Sequence, residues 1–250
     1  MGKKMTYYDS IAQQYKKSKQ LPFRLHIEAY TYFHLLGNLV GKSLLDLACG
    51  EGFYTRQFKL QGAARVIGVE ISEKMIELAR QEEAREPQDI EYILGDVLEL
   101  DKIGSFDLVV ASFLLNYAQT REQLLKMCQS IFVNLRPGGR FVTINNNDSQ
   151  PPQSYLTTEK YGFIKSIDSP LIEGTPIQYI WTVPGSDQKF RFNNYYLSTA
   201  TYEWAFQSVG FKEVRWQKPI VSPQGVEEFG QEFWQDFLNC VPIVGIECLK

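Results

Sequence analysis

The chain has 250 residues, 44% hydrophobic and 22% charged, with 26 Lys and Arg against 29 Asp and Glu. That supports one substantial core, and a formal charge of −3 without a Lys- or Arg-rich block argues against a nucleic-acid footprint. No apolar run approaches the ~20 residues that a membrane-crossing helix needs.

In chain order, helical spacing runs over residues 8–16 and 23–37, with Gly37 and Gly41 closing an N-terminal helical cap of residues 1–40. SLLDLA (43–48) is a predicted strand, GFYTRQFKLQG (52–62) a helix ending at Gly62, and RVIGVE (65–70) a second strand. Ser72 is placed to cap SEKMIELARQEEAR, with Ile71, Met75, Leu78 and Ala79 on one helical face. IEYILGD (90–96) is a third strand, and FDLVVASF (106–113) a fourth that is apolar enough for burial on both faces. REQLLKMCQSIFVNL (121–135) is a helix stopped by Pro137, Gly138 and Gly139, and RFVTINN (140–146) is a fifth strand. Strands separated by helices in this rhythm imply an α/β fold with a parallel sheet covered on both sides.

The second half reads differently. Residues 148–196 are rich in Pro, Gly, Asn, Ser and Tyr, and IQYIWTV (177–183), PGSD and QKFRFNNYY (188–196) form a predicted β-hairpin. TATYEWAFQSVG (199–210) is a helix, FKEVRW (211–216) a strand, GVEEFGQEFWQDFL (225–238) a helix and PIVGIECLK (242–250) a last strand. The simplest assembly is a single domain over 1–250, one sheet carrying a β-rich inserted segment at 148–196. The N-terminus MGKKMTYYDS has no apolar signal core. Cys49, Cys128, Cys240 and Cys248 are scattered, without a C-x-x-C pair. Both features point to a cytoplasmic protein with reduced thiols and no zinc site.

The most informative stretch is LLDLACGEGFYTR (44–56). In an open α/β sheet the ligand sits outside the carboxyl ends of the strands, and glycines there let backbone approach it closely. The dinucleotide pattern G-x-G-x-x-G would need a small residue where this chain has Thr55. Glu70 ends the second strand 20 residues after Gly50, where a carboxylate can accept both hydroxyls of a ribose. Asp96 follows the third strand, where an adenine amino group would lie. Asp46, Glu51, Glu70 and Asp96 around one crevice would repel a pyrophosphate. They suit a ligand with hydroxyls, amines and a positive charge, the profile of S-adenosylmethionine.

LLDLACGEG, VIGVEIS, GDVLEL, FDLVVASFLLNY and LRPGGRFV stand in order and resemble the successive motifs of class I (Rossmann-like) S-adenosylmethionine-dependent methyltransferases. The likeness covers residues 1–146. It implies a seven-stranded, mostly parallel sheet whose last strand is antiparallel, with PIVGIECLK in that place. The stretch YYDSIAQQYKKSKQLPFR also resembles small-molecule methyltransferases, the toxoflavin-pathway N-methyltransferase type and, more distantly, glycine N-methyltransferases. By this resemblance Tyr15 and Arg24 close over the cofactor, and Arg24 pairs with its carboxylate. Ala48, Gly50 and Gly52 bring backbone to the methionine moiety, and Glu70 holds the ribose. Ile71 and Met75 lie against the adenine, Asp96 and Val97 face its edge, and Ala111 offers a carbonyl to the cofactor's amino group. S-adenosylhomocysteine would be the product.

Methyl transfer from a sulfonium is an in-line displacement, so the protein must align the nucleophile and exclude water. A base is hard to find, since His26 and His34 both precede the first strand. His26, Tyr7, Asn116 and Tyr117 are the candidate catalytic side chains. No His/Asp/Glu cluster suggests a metal. Tyr8, Phe113, Asn145, Asn146, Trp181 and Tyr195 are candidates for the acceptor wall. The aromatics of the insertion either line that wall or form a satellite core beneath a lid. The expected function is methylation of an N or O atom of a small-molecule acceptor, by a monomer or homodimer that binds neither nucleic acid nor membrane. The alternatives are a peptide or protein methyltransferase, or a module that binds S-adenosylmethionine without turnover.

Overall fold

The computed structural model describes residues 7–250, and of Tyr7 only the backbone. The chain opens with α1 (Tyr7–Ser18), then a π-helical stretch (Arg24–Ala29) that runs straight into α2 (Tyr30–Leu36). Alternation follows: β1 (Ser43–Leu47), α3 (Phe53–Leu60), β2 (Arg65–Glu70), α4 (Glu73–Arg85), β3 (Ile90–Leu94), β4 (Phe106–Ser112), α5 (Arg121–Asn134) and β5 (Leu135–Asn146). The inserted segment contributes β6 (Phe163–Ser166), β7 (Pro176–Thr182) and β8 (Lys189–Tyr195). Then come α6 (Thr199–Val209), β9 (Glu213–Gln217), α7 (Pro223–Phe229), α8 (Gln231–Cys240) and β10 (Ile243–Leu249).

The main sheet has seven strands in the order β3-β2-β1-β4-β5-β10-β9. Pairing is parallel from β3 to β5, and β10 runs antiparallel to both of its neighbours, as the resemblance implies. The order reverses direction between β1 and β4, so a crevice opens at the carboxyl ends of those strands. A second sheet, antiparallel in the order β6-β7-β8, belongs to the insertion. Its hairpin was expected; β6 was not.

Period-two alternation divides each central strand between two cores. Leu44, Val66, Leu108, Val110, Val142 and Ile144 face one core; Leu45, Ile67, Val109, Ala111, Phe141 and Ile246 face the other. The first core also takes in Phe163, Tyr179, Trp181 and Phe190 of the inserted sheet, with Phe23, Ile27, Trp234 and Phe237. The insertion therefore shares the main core, and its aromatics are not a separate satellite cluster.

Three details differ from the sequence reading. Pro137, Gly138 and Gly139 do not sit in a turn before β5. The helix has already ended at Asn134, and pairing jumps from Phe106↔Leu135 to Leu108↔Arg140. Within that bulge, Gly138 N–H donates to the Lys250 carbonyl and Lys250 N–H donates to that of Gly139. The helix expected over 225–238 is two helices, because Gly230 is left-handed (φ +78°) and ends α7. Ser72 does cap α4, accepting from Met75 N–H at 3.2 Å, but the buried face is Met75, Ile76 and Ala79. Ile71 is 42% exposed.

Candidate functional site

β1 ends at Leu47 and the chain turns sharply. Ala48, Gly50 and Gly52 all have positive φ, at +56°, +58° and +82°. A Cβ at Gly52 would meet the Tyr92 hydroxyl and Arg56 Nη1, the movable ends of two side chains, so it is the backbone φ that favours glycine there. The turn is clamped from β2. Gly50 N–H donates to Glu70 Oε2 at 3.0 Å, and Ser72 N–H donates to Oε1 at 2.8 Å. Burial raises the Glu70 carboxyl above its usual range in spite of these bonds.

Two of the four acids expected around the crevice are partnered by side chains, whereas Glu70 and Asp96 accept from backbone N–H groups. Thr55 Oγ1 donates to Asp46 at 2.6 Å, and burial pushes the Asp46 carboxyl up to about 7. Arg56 pairs with Glu51 at 2.8 Å. Thr55, the residue that breaks the dinucleotide pattern, thus anchors the carboxylate at the end of β1. Glu70 and Asp96 remain as the crevice acids.

A cavity of about 570 Å³ opens at this end of the sheet. One wall is Ala48, Gly50, Glu70, Ile71, Met75, Asp96 and Val97. Another is Tyr8 and Tyr15 of α1, Ser112, Phe113 and Tyr117 after β4, and Gln178, Arg191, Phe192, Asn193 and Tyr195 of the inserted sheet. Phe113 is held at φ +61°, its N–H donating to the Ile144 carbonyl at 2.8 Å. Such backbone strain in a non-glycine residue clusters at functional sites. The Tyr8 and Tyr117 hydroxyls hydrogen-bond to each other, and burial raises both phenols. Among the described residues, no group of three His, Cys, Asp or Glu side chains could hold a metal. No helix among them is long and apolar enough to cross a membrane.

The cavity brings together twelve of the residues expected from sequence: Tyr8, Tyr15, Ala48, Gly50, Glu70, Ile71, Met75, Asp96, Val97, Phe113, Tyr117 and Tyr195. Others stand elsewhere. Gly52 supports the turn from behind. Ala111 is fully buried inside β4, and Ser112 reaches the cavity in its place. Arg24 is buried directly behind the cavity wall, its Nη2 bonded to Glu28 Oε1 at 2.9 Å and its guanidinium 4.8 Å from the Trp181 ring centroid and 5.2 Å and 5.8 Å from those of the wall residues Tyr15 and Phe113. Trp181 itself is core, packed on Phe23, Phe163 and Phe192.

His26 faces the C-terminal helices. Its Nδ1 lies 3.0 Å from Ser222 Oγ, and its ring meets Phe229 and Trp234. Asn116 is buried with neither side-chain polar atom bonded. Asn145 Nδ2 donates to the Tyr202 hydroxyl at 3.1 Å, and Asn146 Nδ2 to Asn194 Oδ1 at 2.8 Å, which ties β5 to β8. The Tyr7 side chain lies outside the described residues.

Sequence reading missed Lys19, Ser112, Gln178, Arg191 and Asn193. Lys19 lines a small pocket of about 20 Å³ with Asp46, Gly50, Tyr54 and Ser112. Its ammonium sits 4.5 Å from the Tyr54 ring centroid and 3.7 Å from Glu28 Oε1, and burial lowers the amine to about 7. The signal for Arg191 and Asn193 was available, since alternation in RFNNYY places both on one face with Tyr195.

Residues 44–139, which run from β1 and the turn through α5 into the start of β5, match the model of a methyltransferase domain. This chain is an S-adenosylmethionine-dependent methyltransferase. Among similar proteins, the demethylmenaquinone methyltransferase of Lactococcus lactis is 28% identical over 224 residues, covering 84% of this chain and 82% of that protein. The ubiquinone biosynthesis O-methyltransferase of Acinetobacter baylyi is 33% identical over 125 residues, 48% of this chain and 49% of that protein. The alignment thus spans about half the length of this second relative. In three dimensions the methyltransferase resembles the CcbJ methyltransferase of Streptomyces caelestis, with a TM-score of 0.67 and 18% identity over 98% of this chain and 97% of that one. It also resembles an S-adenosylmethionine-dependent methyltransferase from Mesorhizobium loti, with a TM-score of 0.66 and 19% identity over 93% of this chain and 100% of that one. Both likenesses are of fold. The methyl donor of this enzyme is S-adenosylmethionine, and S-adenosylhomocysteine is its product.

Proposed function

We propose that the enzyme methylates a nitrogen or oxygen atom of a small, partly aromatic acceptor lying between the glycine-turn wall and the inserted sheet. The observation that carries this reading is the single cavity of about 570 Å³ shared by the two walls. Its size falls in the ~300–1,000 Å³ range of small-molecule sites. The aromatic lining from α1, the turn after β4 and β8 favours a small flat acceptor over a peptide.

The residues present fit the donor. Each Glu70 oxygen already accepts one N–H and keeps a lone-pair site for a ribose hydroxyl. Ile71 and Met75 offer an apolar surface to the adenine, with Asp96 and Val97 at its edge. Ala48 and Gly50 bring backbone to the methionyl moiety. Lys19 replaces Arg24 as the partner of the carboxylate, because Arg24 already serves Glu28. Lys19 lines the pocket beside Gly50, and its nearest acid, Glu28, also pairs with Arg24 and accepts from Tyr54 at 2.7 Å. When bound, S-adenosylmethionine supplies a methyl group on a cationic sulfur.

The chain's own part is alignment and exclusion of water. Tyr8, Phe113 and Phe192 present ring surface to the acceptor, and the Tyr8–Tyr117 pair fixes two hydroxyls at its edge. Among the described residues lining the cavity there is no histidine or lysine, and burial keeps the phenols of Tyr8 and Tyr117 neutral. That supports a nucleophile that needs no base before attack, such as a neutral amine. The likeness of YYDSIAQQYKKSKQLPFR to the toxoflavin-pathway N-methyltransferase type also favours nitrogen. Relatives named for demethylmenaquinone and ubiquinone support an aromatic acceptor body.

The test is transfer of labelled methyl from S-adenosylmethionine to matched panels of small arylamines, small phenols and short peptides. Incorporation into arylamines above phenols, with none into peptides, is expected. Preferred labelling of peptides would overturn the reading.

A further inference from the structure

The cofactor reading above accounts for the acids of the cavity and leaves its cation without a role. Among the described lining residues the acids are Glu70 and Asp96, and Arg191 is the one cationic side chain. Arg191 forms no ion pair or hydrogen bond with the described residues. It lies on β8, which reaches the cavity from the inserted sheet, whereas Glu70 and Asp96 follow β2 and β3. The charged groups of the cavity are therefore sorted by wall.

Arg191 is not alone there. Period two puts Asn193 beside it on the same face of β8, and Gln178 stands opposite Asn193 in the β7–β8 register. The side chains of Gln178 and Asn193 also lack partners among the described residues, and both line the cavity. Arg191 and Asn193 are exposed and Gln178 is half-buried, so a guanidinium fork and two amides stand open to the cavity with no protein partner among the described residues. Guanidinium geometry matches a planar carboxylate with two parallel N–H bonds. Tyr195, on the same face of β8, and Phe113 after β4 also line the cavity and offer the apolar contact that an aryl ring beneath that carboxylate would need.

We propose that the acceptor is an anion, an aryl or similarly flat amine carrying a carboxylate, and that Arg191 with Gln178 and Asn193 binds that carboxylate and turns the nucleophile toward the donor. This rests on the small-molecule reading given above.

The probes are para-aminobenzoate and para-aminobenzamide, alike in shape and differing in charge. Each is titrated into the enzyme saturated with S-adenosylhomocysteine, in wild type, Arg191→Gln and Arg191→Lys. In wild type the benzoate is expected to bind about tenfold or more tightly than the benzamide. Arg191→Gln should erase that preference and Arg191→Lys keep part of it, with S-adenosylhomocysteine affinity the same in all three. Equal binding of the two probes, absence of benzoate binding at millimolar concentration, or a preference that survives in Arg191→Gln would overturn the proposal alone. Failure of S-adenosylhomocysteine to bind wild type would overturn the function reading, and this proposal with it.

Discussion

The two walls of the cavity are made in different ways. The donor wall comes from the ends of β1, β2 and β3 and from the turn between β1 and α3, a nearly continuous run of chain. Its side chains are placed by backbone: a strand ends, a left-handed residue turns the chain, and the next carboxylate caps the turn. The acceptor wall takes residues from α1, from the turn after β4 and from β7 and β8, elements far apart in sequence. Its side chains are placed by packing of aromatic rings on one another and on the main core. Backbone placement leaves a local signature in sequence. Packing across long separations does not.

The comparison is tested hardest at Trp181, which the sequence suggested for the acceptor wall and the structure buries in the core with Phe23, Phe163 and Phe192. Trp181→Ala should cost about 3–5 kcal/mol of stability, seen as a lower midpoint in denaturant. Because β7 and β8 share the core of the sheet, the loss should appear as one cooperative transition. A stable variant with only a raised KM would return Trp181 to the acceptor wall and make the insertion a separate lid.

Glu70 is the corresponding test of the donor wall. Glu70→Ala removes the acceptor of the Gly50 and Ser72 N–H groups along with the proposed ribose contact. Affinity for S-adenosylhomocysteine should fall by more than about tenfold, measured by titration calorimetry. Unchanged affinity would remove the ribose assignment.

These two residues show what could be read in advance. Glu70 was legible because it ends the second strand, 20 residues beyond Gly50, at the carboxyl edge of the sheet where a ribose would lie. The parallel sheet was legible through alternation, and its seven strands and antiparallel last strand through the resemblance that the ordered motifs carry; the strand order was not. Trp181 was ambiguous, because alternation in IQYIWTV assigns a face but not what that face meets. β6 went unseen because a four-residue strand, FIKS, carries too little period. Arg24 was offered by the resemblance; its partner Glu28 is one helical turn away, a pairing that spacing could have suggested.

A subtler difference separates Lys19 from Arg24. If Lys19 meets the donor's carboxylate, its charge matters to binding and that charge is titratable. Burial sets the amine at about 7, so it is protonated below that pH and loses its proton above it. The carboxylate is ionised throughout. Attraction is therefore full below about 7, and affinity for S-adenosylhomocysteine should fall by up to about tenfold between about pH 6 and pH 8. Asp46 also titrates near 7, so the decisive quantity is the part of the slope that Lys19→Met removes. If Arg24 were the partner, its guanidinium would stay charged over this range and Lys19→Met would leave the slope intact.

The smallest effect is expected at His26, which the sequence offered as a candidate base. Its ring is packed between α7 and α8, with Nδ1 on Ser222 and Nε2 3.5 Å from Glu228 Oε2, and it lines neither pocket. A general base must reach the proton it removes, and its loss costs about 10²–10⁴ in rate. His26→Ala should keep kcat within about threefold of wild type, well short of that range, while lowering thermal stability through lost contacts with Phe229 and Trp234. His26→Gln separates the two effects, because it keeps a polar group for Ser222 without a group that can act as a base. A loss of several hundredfold in kcat in both variants, with the fold intact, would place His26 in the chemistry. It would also mean that the region around α7 closes over the acceptor, so that the donor wall alone is set by the sheet.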